Sequence, residues 1–255
     1  MAKQKSSPPD DVLYAFETEH SVSLQFNHDS LQSVMRKQDP YALAFEYTQV
    51  MMGFMPLLSQ TPEHLLLIGL GGGSLSKFCY KHYPNTRVTT VEISAEVIAY
   101  RHKFKIPANT ARFKVIEADG AVYVQDKVSC YEIILLDAYT GQGLPDAVAS
   151  ETFYHHCYQA LKENGILVVN LWRKDPYFRR NLARLERCFD NKVLTVKCQS
   201  GNEIVFAFKK PQLEAFDKVW KRALSYQQQT QLNLPQCLED MVLSLKNDWF
   251  YQSSP

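Results

Sequence analysis

Gly69, Gly71, Gly72 and Gly73 crowd into one stretch, LLLIGLGGGSLSKF, of a chain with ten glycines in 255 residues. Glycine tolerates backbone angles that other residues avoid, and it lets a ligand approach the main chain closely. A helical pattern follows at once, so electropositive N-terminal amides adjoin the turn. Glu92 stands about 20 residues beyond Gly71, at the end of the next apolar run, where an acid can receive a ribose hydroxyl pair. Asp119 ends the run after that, where a carboxylate can reach an adenine amino group. Asp137 ends a further run, IILLD, and the AYTGQGLP loop behind it is suited to a lid. Each feature has a plainer reading: a tight connection for the glycines, a solvated strand end for either acid, a turn-former for Asp137. Three strand ends in order, each with a suitable group, point instead to a bound nucleoside. Tyr139 either contacts substrate or packs. Asn170 ends the next run and either faces the same pocket or merely closes a strand, and Tyr47 and Trp172 read most simply as core.

These residues need a scaffold that brings strand ends together. From residue 64 the chain alternates regularly: strand HLLLIGL, helix SLSKFCYKHY, strand RVTTVEI, helix AEVIAYRHKF, strand RFKVIEAD, short helix GAVYVQDK, strand YEIILLDAY. Then come helix SETFYHHCYQALKEN with Gly165 as its left-handed cap, strand ILVVNLW, and helix DPYFRRNLARLERCF capped by Asp175. Near-continuous apolar strands alternating with helices predict an α/β fold, a parallel sheet covered on both faces. KVLTVKCQ and NEIVFAFKK, joined by a tight Ser-Gly turn, predict a closing antiparallel hairpin. Ahead of this core, SVSLQF, NHDS and LQSVM predict a β hairpin, and residues 40–58 a helix that begins at Pro40 behind Asp39. The expected organisation is a disordered tail over 1–11, hairpin and helix over 12–58, a nucleoside-binding core over 59–211, and two helices split around Pro235 within 212–255.

The bulk composition excludes some classes. The net charge is +1, so no nucleic-acid or anionic-membrane footprint is expected. No apolar run approaches the roughly 20 residues of a membrane span, and the polar start MAKQKSSPPDD lacks the apolar core of a signal peptide. A cytoplasmic location is the expectation. The six cysteines form no CxxC pair and read as buried free thiols. His155, His156 and Cys157 are adjacent, so on a helix they diverge, and no metal is expected there. The basic run RKDPYFRRNLARLER reads as a solvated helix face.

The glycine spacing narrows the nucleoside. GxGxxG fails because its last position is Ser74, and no GxxxxGK[ST] is present. GxGxG with a terminal antiparallel hairpin resembles the Rossmann-like fold of S-adenosylmethionine-dependent transferases, with its seven-stranded, mostly parallel sheet. More narrowly, LQSVM, EYTQVMM, LLLIGLGGGSL, TTVEIS, EADG, IILLDAYTGQGLP and ETFYHHCYQALKENGILVVNL are together similar to the spermidine synthase (polyamine aminopropyltransferase) family, in particular its short bacterial branch. That resemblance implies a homodimer, a small-molecule amine substrate, and S-adenosylmethionine or its decarboxylated form as co-substrate. It implies cofactor contacts from Gln32, the glycine turn, Glu92 with its neighbour Ile93, and Asp119 with Gly120. It makes Asp137 the catalytic acid of a DxxD segment, with Tyr47, Tyr139 and Thr140 toward the substrate.

The match departs from the family at three acids. The second aspartate of DxxD falls on Thr140, the aspartate of GGGDGG on Gly72, and a glutamate after the family's tyrosine on Gln49. Aminopropyl transfer needs an amine stripped of its proton, since a free amine has a pKa of about 10. Asp137 can take that proton, and the other carboxylates ordinarily hold cationic tails. Gly72 would neither attract an ammonium nor repel a carboxylate, which opens an alternative: intact S-adenosylmethionine and methyl transfer. Against it, the acid that many methyltransferases carry two residues before the glycine turn is here Leu67. A second alternative is a non-catalytic, nucleoside-binding dimer.

Overall fold

The computed structural model describes residues 13–26, 30–140, 143–211 and 214–245. The expected tail over 1–11 and most of the NHDS turn lie outside them. Seven strands form one sheet in the order β6-β5-β4-β7-β8-β10-β9. They are β4 (His64–Ile68), β5 (Arg87–Glu92), β6 (Phe113–Glu117), β7 (Tyr131–Leu136), β8 (Leu161–Trp172), β9 (Val193–Lys197) and β10 (Asn202–Phe208). β4 to β8 run parallel, and β10 is antiparallel to both β8 and β9. The predicted α/β class with a closing hairpin is therefore the observed fold.

Period-two geometry sends alternate side chains to opposite faces. Leu65, Leu67, Ile133, Leu135, Ile166 and Val168 enter one core, and Leu66, Ile68, Ile134, Leu136, Leu167 and Val169 enter the other. Both faces are covered, which is why these strands read as unbroken apolar runs. On the first face lie α1 (Glu46–Met51), the 3-10 turn Met52–Leu57, α2 (Ser74–His82) and two C-terminal helices. On the second lie α4 (Gly120–Gln125), α5 (Glu151–Ala160) and α6 (Phe178–Cys188), while α3 (Ala95–Ala99) connects β5 toward β6.

Several local expectations are corrected. The N-terminal hairpin is a three-stranded antiparallel sheet, because β1 (Leu13–Glu17) joins β2 (Ser21–Phe26) and β3 (Ser30–Arg36). The helix expected from Pro40 begins at Glu46; Asp39 instead closes a tight turn, its carboxylate and carbonyl accepting from the amides of Tyr41 and Ala42. Beyond Met51 the helix tightens into the 3-10 turn that contains Pro56. α5 ends at Ala160, not at Gly165. The following residues are drawn into β8, where Leu161 pairs with Tyr131 and its carbonyl accepts from Lys209 Nζ at 2.7 Å. The left-handed residue is Asn164 (φ 63), not Gly165. α6 starts at Phe178, since Asp175 is engaged in a turn to Tyr177 and Phe178.

α7 (Phe216–Thr230) and α8 (Leu234–Leu243) are the two C-terminal helices, with Pro235 in the first turn of α8. α8 packs on the edge strand β9, where Ser244 Oγ accepts the Thr195 amide at 2.9 Å, so the open edge is capped. It also lies so close to Gly53 that a Cβ there would meet Cys237 Sγ at 2.6 Å. The cysteines are free and, Cys130 excepted, buried. The basic run of α6 is largely engaged: Arg180 pairs with Asp146, Arg187 with Glu151, and Arg184 donates to Ala149 O. No helix among the described residues is long and apolar enough to cross a membrane.

Candidate active site

A cleft of about 480 Å³ opens beyond the carboxyl ends of β4, β5, β6, β7 and β8. That is where a sheet of this type leaves room for a ligand, and the size suits a nucleoside. β3 borders it with Leu31, Gln32 and Ser33, and α1 with Tyr47 and Thr48.

β4 runs out at Ile68, and the chain must then turn sharply. Gly69 (φ 98) lies against the Asp137 backbone, where any Cβ would collide with the Asp137 carbonyl. Its amide donates to Val91 O at 2.9 Å. Gly73 (φ 67) closes the turn, its amide donating to Leu70 O at 2.8 Å, and it is the left-handed residue before α2. Gly69 and Gly71 line the cleft; Gly72 and Gly73 are buried behind it.

Glu92 ends β5 and is only 9% exposed. Its Oε2 accepts the Leu70 amide at 2.8 Å and its Oε1 the Ser94 amide at 2.9 Å. The acid is thereby locked to the glycine turn, and each oxygen keeps a lone pair for a further donor. Asp119 caps α4, with Oδ1 accepting the Ala121 amide at 2.7 Å. Gly120 follows without a Cβ, which would collide with Ile68. Ile93 also lines the cleft and is 67% exposed, an apolar surface beside the two acids. Gln32 reaches across from β3, donating to Tyr139 O at 3.5 Å, while its own Oε1 is buried and without a protein partner.

Asp137 follows β7 at the other end of the cleft. Asn170 Nδ2 donates to its Oδ1 at 2.9 Å and Tyr47 OH to its Oδ2 at 3.4 Å. Burial pushes the Asp137 carboxyl above the usual aspartate value, and the bonds from Asn170 and Tyr47 partly offset that. Burial and the neighbouring Asp137 also hold Tyr47 well above its ordinary value, so its hydroxyl remains a donor. Asn170 is itself 3% exposed and accepts from Asn202 Nδ2 at 2.9 Å. Tyr139 donates to Asn170 O at 3.0 Å and accepts the Trp172 amide at 2.8 Å. Thr140 forms an isolated bridge with Gly143. Tyr47, Tyr139 and Trp172 all line the cleft, which the reading of Tyr47 and Trp172 as core did not anticipate. Asn202 carries no local signal in the sequence; it reaches the site only because β10 pairs with β8, placing it opposite Trp172.

Gly72 has a physical explanation beyond its missing charge. A Cβ there would lie 2.5 Å from Ser33 Oγ and 2.7 Å from a Phe104 ring carbon. Phe104 is pinned by buried Lys77, whose Nζ donates to Phe104 O at 2.7 Å and whose pKa burial lowers to about 8. Gly72→Asp is therefore expected to destabilise the fold by about 1–3 kcal/mol through overpacking. It is not expected to place a carboxylate in the cleft. Chemical denaturation would measure the loss, and an undiminished stability would show that the Phe104 wall yields.

Known proteins share this fold. Residues 44–219 match the family model described as the spermine/spermidine synthase domain. Over 204 residues the chain is 37% identical to a polyamine aminopropyltransferase of Neisseria meningitidis serogroup A, spanning 79% of this chain and 78% of that relative. Among solved structures, a spermidine synthase in complex with the transition-state analogue AdoDATO superposes with a TM-score of 0.67 at 21% identity, covering 95% of this chain and 87% of that one. Human methyltransferase-like protein 13 in complex with SAH gives 0.63 at 24% identity, covering 82% and 99%. These two structures carry the fold alone, and they carry it for two different chemistries. The sequence match over most of the length decides the lineage: this chain belongs to the spermine/spermidine synthase family.

Proposed function

We propose that the protein transfers an aminopropyl group from decarboxylated S-adenosylmethionine to a polyamine acceptor. The observation that carries this reading is the charge of the cleft. Glu92, Glu96, Asp119 and Asp137 line it, and no lysine, arginine or histidine is among its described lining residues. Such a site favours cationic ligands and offers no basic side chain to a carboxylate. The amides of Gly69, Leu70 and Gly73 are already bonded within the protein, which leaves the turn fewer amides to cradle the carboxylate of an intact donor. The unpartnered Gln32 Oε1 suits an ammonium instead.

In this reading Glu92 receives the ribose hydroxyls, Asp119 the adenine amino group, and Ile93 packs on the base. Asp137 takes one proton from the acceptor's ammonium, which frees the nitrogen lone pair. That lone pair attacks the aminopropyl carbon bonded to the sulfonium sulfur, forming the C–N bond as that C–S bond breaks. The bonding electrons go to sulfur, leaving a neutral thioether, and the product departs as a secondary ammonium. The sulfonium is already a good leaving group, so the protein's work is positioning and deprotonation. A carboxylate whose pKa is raised by burial is a stronger base for that step.

Titration calorimetry with both donors tests the proposal. The decarboxylated donor is expected to bind at least about tenfold tighter. Both donors carry the ammonium, but only the intact one brings a carboxylate that is left unpaired, a difference of more than about 1.4 kcal/mol. Tighter binding of the intact donor would overturn aminopropyl transfer and restore the methyl-transfer alternative.

A further inference from the structure

We infer that Asn202, backed by Ser200, is a positioning residue of the reaction: it fixes which end of the Asn170 amide meets Asp137. The inference rests on the transfer reading above and concerns how its base is held. An ionised aspartate offers only acceptors. Asn170 must then turn its Nδ2 toward Asp137 Oδ1, and the two stand 2.9 Å apart. That leaves Asn170 Oδ1 pointing away, on a residue 3% exposed, where an unbonded oxygen is costly. Asn202 Nδ2 donates to it at 2.9 Å, and Asn202 Oδ1 in turn accepts from Ser200 Oγ at 2.9 Å. Each group sets the polarity of the next. The chain therefore runs in one direction, from a hydroxyl at an exposed turn to the buried carboxylate.

Strand pairing makes this chain possible. Where β8 and β10 run antiparallel, Ile204 lies opposite Asn170 and Asn202 opposite Trp172, so the two asparagines share a face and meet diagonally. The turn ahead of β10 is braced from two sides. Glu46 accepts the Gln199 and Ser200 amides, and Arg173 donates to the carbonyls of Cys198 and Gly201. Glu46 begins α1, and its neighbour Tyr47 donates to the other oxygen of Asp137. Both carboxylate oxygens are thus aimed from elements bolted to each other. Among the described residues, the titratable groups facing Asp137 are Tyr47 from α1 and Tyr139 beyond β7, each raised by burial, with Asp175 acting on Tyr139. Glu92, Glu96 and Asp119 line the β5 and β6 side of the cleft, and β8 and β10 present neutral side chains.

Without the Asn202 donor, the Asn170 amide is free to exchange its ends. Its Oδ1 then faces Asp137, where it can bond only the protonated acid, and proton release becomes harder. Asn202→Leu keeps the size and removes the donor, while Ser200→Ala removes the hydroxyl from an exposed position. Carbon-13 NMR of the unliganded protein, labelled at aspartate carboxyls, would read the effect directly, with the Asp137 signal identified by its loss in Asp137→Asn. The midpoint of Asp137 is expected to rise by about one pH unit in Asn202→Leu, and by less in Ser200→Ala. With saturating decarboxylated donor and 1,4-diaminobutane, the acid limb of kcat should move up by the same interval while KM hardly changes. A midpoint that stays in place in every folded variant overturns the inference, and Ser200→Ala decides alone should the leucine variant not fold. An unsubstituted protein that binds donor but transfers nothing overturns the transfer reading alone, because the NMR midpoints need no turnover.

Discussion

Asp137→Asn is expected to lower kcat for amine transfer by about 10²–10⁴-fold while changing donor affinity only a few-fold. Asparagine preserves size and can still bond to Asn170, but it cannot accept a proton. Asp137 lines the cleft at the end of β7, away from Glu92 and Asp119, so the loss belongs in kcat. Rapid-quench kinetics beside donor calorimetry would separate the two effects; an unimpaired kcat would remove Asp137 from the chemistry. The pH profile of the unsubstituted protein should agree. The base form of Asp137 is needed, so activity should fall as pH drops through a pKa raised above that of ordinary aspartate. Stability runs the opposite way. Because the folded pKa exceeds the unfolded value, the folded state binds more protons between the two. The stability contributed by this group is then greatest below the unfolded pKa and is lost as pH rises through the folded one. At neutral pH the charged Asp137 is a cost to the fold, and Asp137→Asn should unfold at a temperature no lower than the unsubstituted protein while being inactive. Thermal melts at pH 7 would expose the opposite behaviour.

Glu92→Ala should weaken donor binding by a hundredfold or more. Two hydrogen bonds from a ribose to a carboxylate are together worth about 3 kcal/mol or above, and alanine removes both. The substitution also strips acceptors from the Leu70 and Ser94 amides. Leu70 is buried, so its orphaned N–H costs a further 1–3 kcal/mol of stability, roughly. Both effects are readable in one experiment. The variant should melt earlier than the parent, and adding donor should no longer raise its melting temperature. A variant that melts early but is still fully protected by donor would mean that Glu92 holds the turn and not the ligand.

These two residues illustrate how far local sequence reaches. Glu92 and Asp137 were legible because each terminates an apolar run, and in a parallel sheet every strand's carboxyl end opens on the same side. The unbroken apolar runs LLLI, IILL and ILVV marked the doubly covered strands, and a chain sparing with glycine marked its turn by clustering them. The helix limits were less legible. Residues 161–165 have a helical composition, yet pairing with β7 and the bond from Lys209 hold Leu161 in the sheet. Both partners are remote in sequence, so no local pattern registers them. Pro40 and Asp39 look like a helix start, but the same aspartate forms an equally favourable turn.

Along the chain alone one can place the Glu92–Asp119 end of the cleft, because its parts are backbone turns and strand tips whose geometry is set within a few residues. The Asp137 end follows no such rule. Asn170, Asn202, Tyr47 and Tyr139 converge around Asp137 only after β8, β10 and α1 have packed, and Phe104 closes over Gly72 where Lys77 of α2 anchors its carbonyl. Side-chain contacts between distant segments depend on the sum of all packing energies, not on the propensity of any window. The Glu92–Asp119 end of the cleft is therefore a local property of this polypeptide, whereas the charge and shape of its Asp137 end emerge with the assembled core.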